Sequence, residues 1–265
     1  MALMGIFLSQ ICLYPVKSLA GIQVERWPLD RFGLRFDRRW MVVRPDGRFL
    51  TQRQIPRMAT IRSAIDLQTG QLTLFHPEGG EIAVPEPEGG SMAVQVWRDR
   101  VEAIRVGEKV DRWLEAILGI PCHLVWFPEE GRRTVDPRYA PFPAETAFSD
   151  GFPLLLIGEG SLQDLNRRLD RPVEMGRFRP NLVIRGSEPY AEDRWRKIRI
   201  GEIPIHLVKP CSRCVVTTVD PDRGVRTGEE PLKTIGRLRR GYFGQNGVHA
   251  KEGWLQVGMV VQVLE

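Results

Sequence analysis

Short strand-like segments separated by turns constrain the fold of this chain more than any other feature. Pro-Asp-Gly at 45–47 and Gln-Thr-Gly at 68–70 are hairpin-type turns, and the segments around them alternate in polarity or are rich in β-branched residues. The strand-like segments are SQICLYPV (9–16), IQVERWPL (22–29), RRWMVVRPDGRFLT (38–51), RMATIRSAIDLQTGQLTLFHPEGGEIAV (57–84) and MAVQVWRDRVEAIRV (92–106). Strands at this spacing predict a β-sandwich or a β-barrel.

Two helices interrupt the strand pattern. The first is predicted at about 108–118, because its apolar residues share one face and Gly119 with Pro121 stops it. The second follows a buried strand in PLLLIGEGSLQDLNRRL, with Ser161 as the expected N-cap. Its expected buried stripe consists of Leu162, Leu165 and Leu169.

The second half of the chain returns to strands. These are predicted in PNLVIRG, WRKIRIG, IPIHLVKP, CVVTTVD and the terminal WLQVGMVVQVLE. Residues 127–146 are proline-rich and strand-poor, so we interpret them as a linker or a loop over a site. The predicted fold class is therefore mainly β with a few helices (α+β), arranged as two β-barrel-like units.

Composition narrows the range of partners. The net charge of this 265-residue chain is +5, but its basic residues are interleaved with acidic ones, so nucleic acid is not an expected partner. The N-terminus lacks a signal-peptide pattern, and no segment has the ~18 apolar residues of a membrane span. With four cysteines in all, a reducing compartment is expected. We therefore predict a cytoplasmic protein without a membrane partner.

Two of the four cysteines, Cys211 and Cys214, form a Cys-x-x-Cys pair with three alternative interpretations. A redox dithiol normally opens a helix, whereas Cys214 opens the β-branched run CVVTTVD. Structural zinc needs a second ligand pair, whereas Cys12 and Cys122 are isolated. Both residues of the pair could also be ordinary buried cysteines.

Arg213 argues against complete burial of Cys214, because arginine is almost never buried without a partner. A cation beside a thiol favours the thiolate, a soft ligand for metals. One thiolate is enough when the metal arrives with its other ligands attached.

Several separated motifs resemble the MOSC-domain family. FRPNLVIRG (178–186), YAEDRW (190–195), CSRCVVTTVDPDRG (211–224), EEPLKTI and FGQN resemble the MOSC domain, and the nearest type is the mitochondrial amidoxime-reducing component with its bacterial relatives. YPVKSLAGI, DRRWMVV and TQRQIPRMATI are similar to the accompanying N-terminal β-barrel domain. The resemblance implies a MOSC N-terminal barrel-like domain at 1–125, whose first strands can also pack on the MOSC core, and a MOSC domain at 126–265.

The resemblance also implies a molybdenum cofactor (Mo-molybdopterin) and its site. Cys214 would be the metal ligand and the catalytic residue, and the remaining ligands would be oxo or hydroxo groups and the pterin dithiolene. The residues implied to bind the cofactor are Lys17, Ser18, Arg38, Gly151, Phe152, Arg179, Asn181, Ser212, Arg213 and Asn246. Each charge-assisted hydrogen bond to the pterin phosphate is worth roughly 1.5–3 kcal/mol.

The function implied is reduction of small N-hydroxylated substrates such as amidoximes and hydroxylamines. The chain has no C-x4-C-x2-C spacing of a fused ferredoxin, so a separate flavin or iron–sulfur reductase is the expected electron donor. The alternative is a carrier or binding protein for molybdenum cofactor or sulfur without reductase activity. An association with pyridoxal phosphate is weaker, because no Schiff-base lysine context is recognisable.

Overall fold

The described part of the structure, a computed structural model, comprises residues 5–265. Within it, strands far outnumber helices, and the mainly β fold class is confirmed. The strands are β1 (Ile6–Leu13), β2 (Ile22–Val24), β3 (Arg26–Asp30), β4 (Gly33–Leu34), β5 (Trp40–Val43), β6 (Arg62–Ile65), β7 (Leu72–His76), β8 (Gly80–Ala83), β9 (Ser91–Val96), β10 (Asp99–Arg105), β11 (His123–Trp126), β12 (Leu154–Gly158), β13 (Leu182–Arg185), β14 (Lys197–Ile200), β15 (Ile203–Ser212), β16 (Val219–Asp220), β17 (Val225–Arg226), β18 (Tyr242–His249), β19 (Gly253–Gln256) and β20 (Val260–Val263). The helices are α1 (Glu108–Leu118), α2 (Glu159–Asn166) and α3 (Leu232–Arg239), with short 3-10 helices at Pro56–Thr60, Met175–Phe178, Ala191–Arg194 and Val215–Thr218.

Seven strands close into a barrel. Their order is β13-β12-β18-β15-β14-β20-β1, and β1 pairs back to β13. β1 comes from the N-terminal end of the chain, yet its two neighbours in the closed ring belong to the C-terminal half: Ile6 lies opposite Val261, and Ile11 lies opposite Leu182. Closure leaves no unpaired edge in the ring, so the barrel satisfies its backbone hydrogen bonds internally.

A second, half-barrel sheet has the order β5-β11-β10-β9. Its apolar face packs around Met41, Val94 and Val125, and the aromatic side chains of Phe127 and Phe148 complete this core. Phe148 and Phe127 meet edge to face at 5.2 Å, so the irregular segment after β11 is held against the half-barrel. The two predicted barrel-like units are therefore confirmed. Small sheets β19-β3-β4, β6-β7-β8 and β16-β17 extend the two units.

The helix predicted at 108–118 is confirmed as α1. Val110, Leu114 and Ile117 are buried in the core, as the apolar periodicity requires. Gly119 adopts a left-handed conformation with φ 71° and donates its N–H to Glu115, which ends the helix.

The second helix begins earlier than the sequence predicts. α2 starts at Glu159, so Ser161 is not its N-cap. Ser161 is instead fully buried, donates its hydroxyl to Glu192 Oε1 at 2.7 Å and accepts the backbone N–H of Tyr190. The buried carboxylate of Glu192, which is distant in the sequence, thus holds the serine that the local pattern predicts as a helix N-cap. Of the expected stripe, Leu165 is fully buried, and Leu162 and Leu169 are partly buried.

The strand predicted in CVVTTVD is only partly correct. Residues 215–218 form a 3-10 turn, and the strand that follows, β16, has two residues. Thr217 and Thr218 donate their hydroxyls to the carbonyls of Cys214 and Val215. These side-chain bonds satisfy carbonyls that a strand would offer to a neighbour, which explains why a β-branched run coils here.

Among residues 5–265, none of the helices combines the length and the apolar character needed to cross a membrane.

Candidate functional site

Lys17 lies in the loop that follows β1 and is almost completely buried. Its Nζ donates to the carbonyl of Phe148 at 2.7 Å and to Asp150 Oδ1 at 2.5 Å. Only 5% of the residue is exposed, and burial lowers its pKa from 10.5 to about 8. A buried, paired ammonium is thus aimed at the segment around Asp150 rather than at solvent.

Asp150 joins this lysine to the surface of the site. Loss of water around the carboxyl raises its pKa, but Lys17 and then Arg53 outweigh this effect and hold the pKa below its usual range. The side chain remains 61% exposed, and it also accepts a hydrogen bond from Trp97 Nε1 at 3.1 Å. The carboxylate therefore stays charged and open to a bound molecule.

Cys214 sits at the start of the 3-10 turn and is partly buried. Its nearest cation is Arg53, whose Nη2 lies 3.2 Å from Sγ. Arg53 Nη2 also lies 3.7 Å from Asp150 Oδ2, so contacts run without a break from Lys17 through Asp150 and Arg53 to Cys214. The sequence analysis missed Arg53. The sequence could have indicated Arg53 through its position in TQRQIPRMATI, a segment that resembles the N-terminal β-barrel domain of the family.

The Arg213 guanidinium donates to groups other than the Cys214 sulfur. Its Nη1 donates to the other cysteine, Cys211, at 3.0 Å, and its Nη2 donates to the carbonyl of Phe178 at 2.6 Å. The cation that we expected at Cys214 from the adjacent residue is thus supplied by Arg53. One atom of Arg213, Nε, is buried without a hydrogen-bond partner, and such an atom commonly signals a missing ligand or water.

Arg38 and Arg179 form a second cationic group on the two sides of Tyr14. Their guanidinium carbons lie 4.3 Å and 4.2 Å from the Tyr14 ring centre, within cation–π range. Arg38 also pairs with the buried Asp37 and donates to Asn181 Oδ1 at 3.0 Å. Arg179 donates to the carbonyl of Leu19 at 2.7 Å, and burial lowers its pKa to about 10.

Asn181 is buried, and both ends of its side-chain amide form hydrogen bonds within the protein. Oδ1 accepts from Arg38 and from the N–H of Leu155, and Nδ2 donates to the carbonyl of Cys12. The structure thus places Asn181 behind Arg38, where it orients the guanidinium. The Arg38–Arg179 group is joined to the Lys17 loop, because the carbonyl of Leu19 in that loop accepts a hydrogen bond from Arg179.

The other predicted residues fall in two places. Ser18, with φ 69°, is in the Lys17 loop, and exposed Ser212 ends β15 two residues before Cys214. Gly151 follows Asp150 and has open space where a Cβ would stand. Phe152 and Asn246 instead gather around Lys209: its Nζ lies 6.0 Å from the Phe152 ring, and its carbonyl accepts from Asn246 Nδ2 at 3.2 Å.

The donor set limits the chemistry. Among residues 5–265, no group of three His, Cys, Asp or Glu side chains is arranged to hold a metal ion. The site instead offers the half-buried thiol of Cys214 with the Arg53 cation at its sulfur. It can supply a single sulfur ligand and several donors to an anionic group.

Comparison with known proteins matches both halves of the chain to described families. A family model for the MOSC N-terminal beta barrel domain matches residues 6–121, and one for the MOSC domain matches residues 143–262. The division at 125/126 stays a prediction; the structure shows that β1 pairs with strands of the C-terminal half.

Individual relatives cover most of the chain. It is 35% identical over 279 residues to mitochondrial amidoxime-reducing component 1 of Homo sapiens, covering 97% of this chain and 82% of the human protein. It is 35% identical over 244 residues to mitochondrial amidoxime reducing component 2 of Rattus norvegicus, covering 87% of this chain and 72% of the rat protein. It is also 35% identical over 259 residues to the molybdenum cofactor sulfurase of Oryza sativa subsp. japonica, where 90% of this chain spans 31% of that protein. The chain therefore belongs to the MOSC-domain family and combines the MOSC N-terminal beta barrel domain with the MOSC domain.

Proposed function

We propose that this protein is a molybdenum-cofactor-binding oxidoreductase that reduces small N-hydroxylated compounds, such as amidoximes and hydroxylamines. The observation that carries the proposal is the contact of Arg53 with Cys214 Sγ at 3.2 Å. It gives the family's cysteine a cationic partner, as a thiolate ligand requires. The human and rat relatives, whose names describe amidoxime reduction, support the choice of substrate.

The residues present fit such a cofactor. Cys214 would hold the metal as its one protein ligand, which suits a metal whose other ligands come with the cofactor. Cations around the site suit a phosphate-bearing pterin, and the unpartnered Nε of Arg213 offers a donor that nothing in the protein uses. The residues proposed to hold the cofactor are Lys17, Ser18, Arg38, Gly151, Phe152, Arg179, Asn181, Ser212, Arg213 and Asn246.

These residues play different parts. Lys17, Arg38 and Arg179 would neutralise the phosphate, and Asn181 would act by orienting Arg38. Phe152 and Asn246 lie around Lys209, so they would contribute at the far side of the site.

When bound, the cofactor supplies the two-electron redox chemistry. The overall change consumes two electrons and two protons: the N–O bond of the substrate breaks, an N–H bond forms, and the oxygen leaves as water. Arg53 stabilises the charge on the Cys214 sulfur. Asp150 stays ionised beside Lys17 and Arg53, so it can accept a hydrogen bond from the substrate's amino or hydroxyl group.

The electrons are proposed to come from a separate flavin or iron–sulfur protein. A reducing, cytoplasmic setting belongs to the same proposal, because a thiol ligand must remain free. All four cysteines, Cys12, Cys122, Cys211 and Cys214, are free in the structure.

A second candidate function rests on the plant relative. The 35% identity to a molybdenum cofactor sulfurase favours a protein that binds or carries the cofactor or its sulfur without reducing a substrate. Both candidates require the cofactor site, and only the first requires turnover of an N-hydroxylated compound.

The test begins with molybdenum and pterin per folded protein, purified from a host that makes the cofactor. Benzamidoxime reduction is then measured with reduced viologen, with NADH alone, and with NADH plus a flavin or iron–sulfur reductase. We expect bound molybdenum and turnover with every donor except NADH alone. Molybdenum without turnover would favour the carrier, and absence of both molybdenum and pterin would refute the two candidates together.

A further inference from the structure

Trp97 occupies a backbone position that normally suits glycine. β9 ends at Val96, β10 begins at Asp99, and these two residues pair, so Trp97 is the first residue of a two-residue hairpin loop. Its φ is 57°, in the left-handed region. The hairpin loop with φ positive at its first position favours glycine there, and positive φ is a genuine outlier for a bulky side chain.

The indole of Trp97 is linked through Arg53 to the cysteine that we propose as metal ligand. Its Nε1 donates to Asp150 at 3.1 Å, and the Arg53 guanidinium lies 4.6 Å from its ring centre. Arg53 in turn contacts Cys214 Sγ. Phe49 supports the indole at 5.2 Å in an edge-on arrangement. Trp97 is therefore fixed by a hydrogen bond, a cation and an aromatic ring at the border of the site.

In spite of these contacts, 42% of Trp97 is exposed. A tryptophan kept for packing alone would bury its rings, and a loop kept for stability alone would use glycine here. A strained backbone conformation that is held in place by its surroundings is typical of a functional position. An exposed, rigidly held aromatic face beside a site is suited to stack on a planar molecule.

We propose that Trp97 is the substrate platform of this site and that it confers preference for planar aromatic N-hydroxylated compounds. This inference rests on the proposed function, because it takes the site to be that of the reductase. The ring of an aryl amidoxime would lie against the exposed indole face. The neighbouring carboxylate of Asp150, itself 61% exposed, would accept a hydrogen bond from the amino or hydroxyl group of the same substrate.

The test compares substrates with and without a ring in molybdenum-loaded protein. Benzamidoxime has the ring, and hydroxylamine does not. Trp97→Gly removes the platform and relieves the positive φ, whereas Trp97→Phe keeps an aromatic face. Trp254→Ala is the matched control, because Trp254 is similarly exposed (44%) but lies on β19 against Arg26.

We expect Trp97→Gly to raise KM for benzamidoxime by about 2- to 12-fold, the range of aromatic pair energies, and to lower kcat/KM for hydroxylamine no more than Trp97→Phe does, because both variants lose the Nε1 bond to Asp150. Trp97→Phe should restore most of the loss, and Trp254→Ala should change neither substrate. Molybdenum content and Tm report on each variant's cofactor site and fold. An unchanged KM for benzamidoxime in Trp97→Gly, or equal losses with both substrates, would overturn the proposal.

Binding of the reduction product provides a readout without turnover. Benzamidine should bind the molybdenum-loaded protein, and Trp97→Gly should weaken that binding by the same factor, measured by calorimetry. Absence of turnover in the unsubstituted protein would refute the reductase, whereas turnover with equal benzamidine affinity in the variant would refute only the platform.

Discussion

Cys211 and Cys214 are three residues apart, and each has an arginine at its sulfur, but the two arginines come from different distances along the chain. Arg213 at Cys211 is two residues away, whereas Arg53 at Cys214 is 161 residues away. The Cys211 side chain packs partly on an apolar cluster. The surroundings of Cys214 are assembled from three separate segments, which carry Lys17, Arg53 and Asp150. The difference teaches that Cys214, rather than Cys211, has the environment that only the complete fold can build.

The largest effect should come from replacing the sulfur ligand. We expect Cys214→Ser to lose nearly all bound molybdenum and amidoxime turnover, because a hydroxyl is a hard, poorly acidic ligand. Cys211→Ser is the matched control and should keep both in its folded fraction. Molybdenum per folded protein and turnover with reduced viologen measure the contrast. Equal losses in the two variants would point to a two-cysteine site.

The second-largest effect should come from loss of the Lys17 charge, because Lys17 is linked to Cys214 through Asp150 and Arg53. Because burial lowers the pKa of Lys17 to about 8, its ammonium is charged below that pH and neutral above it. Retention of a phosphate-bearing cofactor should therefore weaken as pH rises through about 8, by about 10- to 100-fold for one hydrogen bond between charged groups. Molybdenum release during dialysis at pH 7 and pH 9.5 measures this change. Lys17→Arg, which stays charged, should flatten the profile; an identical profile in both proteins would remove Lys17 from the site.

A smaller effect is expected from Arg53, and a double-mutant cycle can show whether it acts through Cys214. Arg53→Ala should lower turnover about tenfold, as expected for a lost hydrogen bond to a charged group. The same substitution should also lower Tm, with its full effect in a Cys211→Ser background and almost none in a Cys214→Ser background, where turnover is already lost. Arg62→Ala is the control, because the Arg62 side chain is 75% exposed and forms a 3.7 Å ion pair with the similarly exposed Asp222. Additive losses of Tm in the Cys214→Ser background, measured by thermal unfolding, would separate Arg53 from the thiol.

The smallest effect concerns stability on the Cys211 side. In Cys211→Ser the new hydroxyl can still accept from Arg213, so we expect a loss of about 1 kcal/mol, at the low end for a partly buried polar group. This corresponds to a Tm lower by about 2–4 °C for a chain of this size. Thermal unfolding of the variant and of Cys211→Ala, which cannot accept that bond, checks the reason. Equal Tm values for the two variants would show that the Arg213 contact adds nothing.

Features set by neighbouring residues were predictable from the sequence. Helix α1 follows from its apolar periodicity and the glycine that ends it, and the hairpin between β6 and β7 follows from Gln-Thr-Gly at 68–70. The barrel-like architecture follows from repeated short strands. The helix and the hairpin depend on neighbouring residues, whereas closure of the barrel pairs β1 with the distant β13 and β20.

Features set by distant partners were not predictable in the same way. Ser161 is drawn into the core by Glu192, and hydroxyl bonds from Thr217 coil a segment that has strand composition. Arg53 and Trp97 reach the site only after the half-barrel and the barrel pack together. The family motifs identify Cys214, but they do not show which cation lies at its sulfur.

The place of β1 in the barrel has a consequence for how this protein folds during synthesis. The strand leaves the ribosome well before two of its partners, β13 and β20, which are made only after residue 181. The loop that carries Lys17 follows β1 directly, so it cannot take its final place until that pairing is complete. Closure of a ring through such distant pairing is slow, because the entropy of joining the ends is lost before the contacts form. The half-barrel can order earlier, and the cofactor site is expected to be among the last parts of the molecule to form.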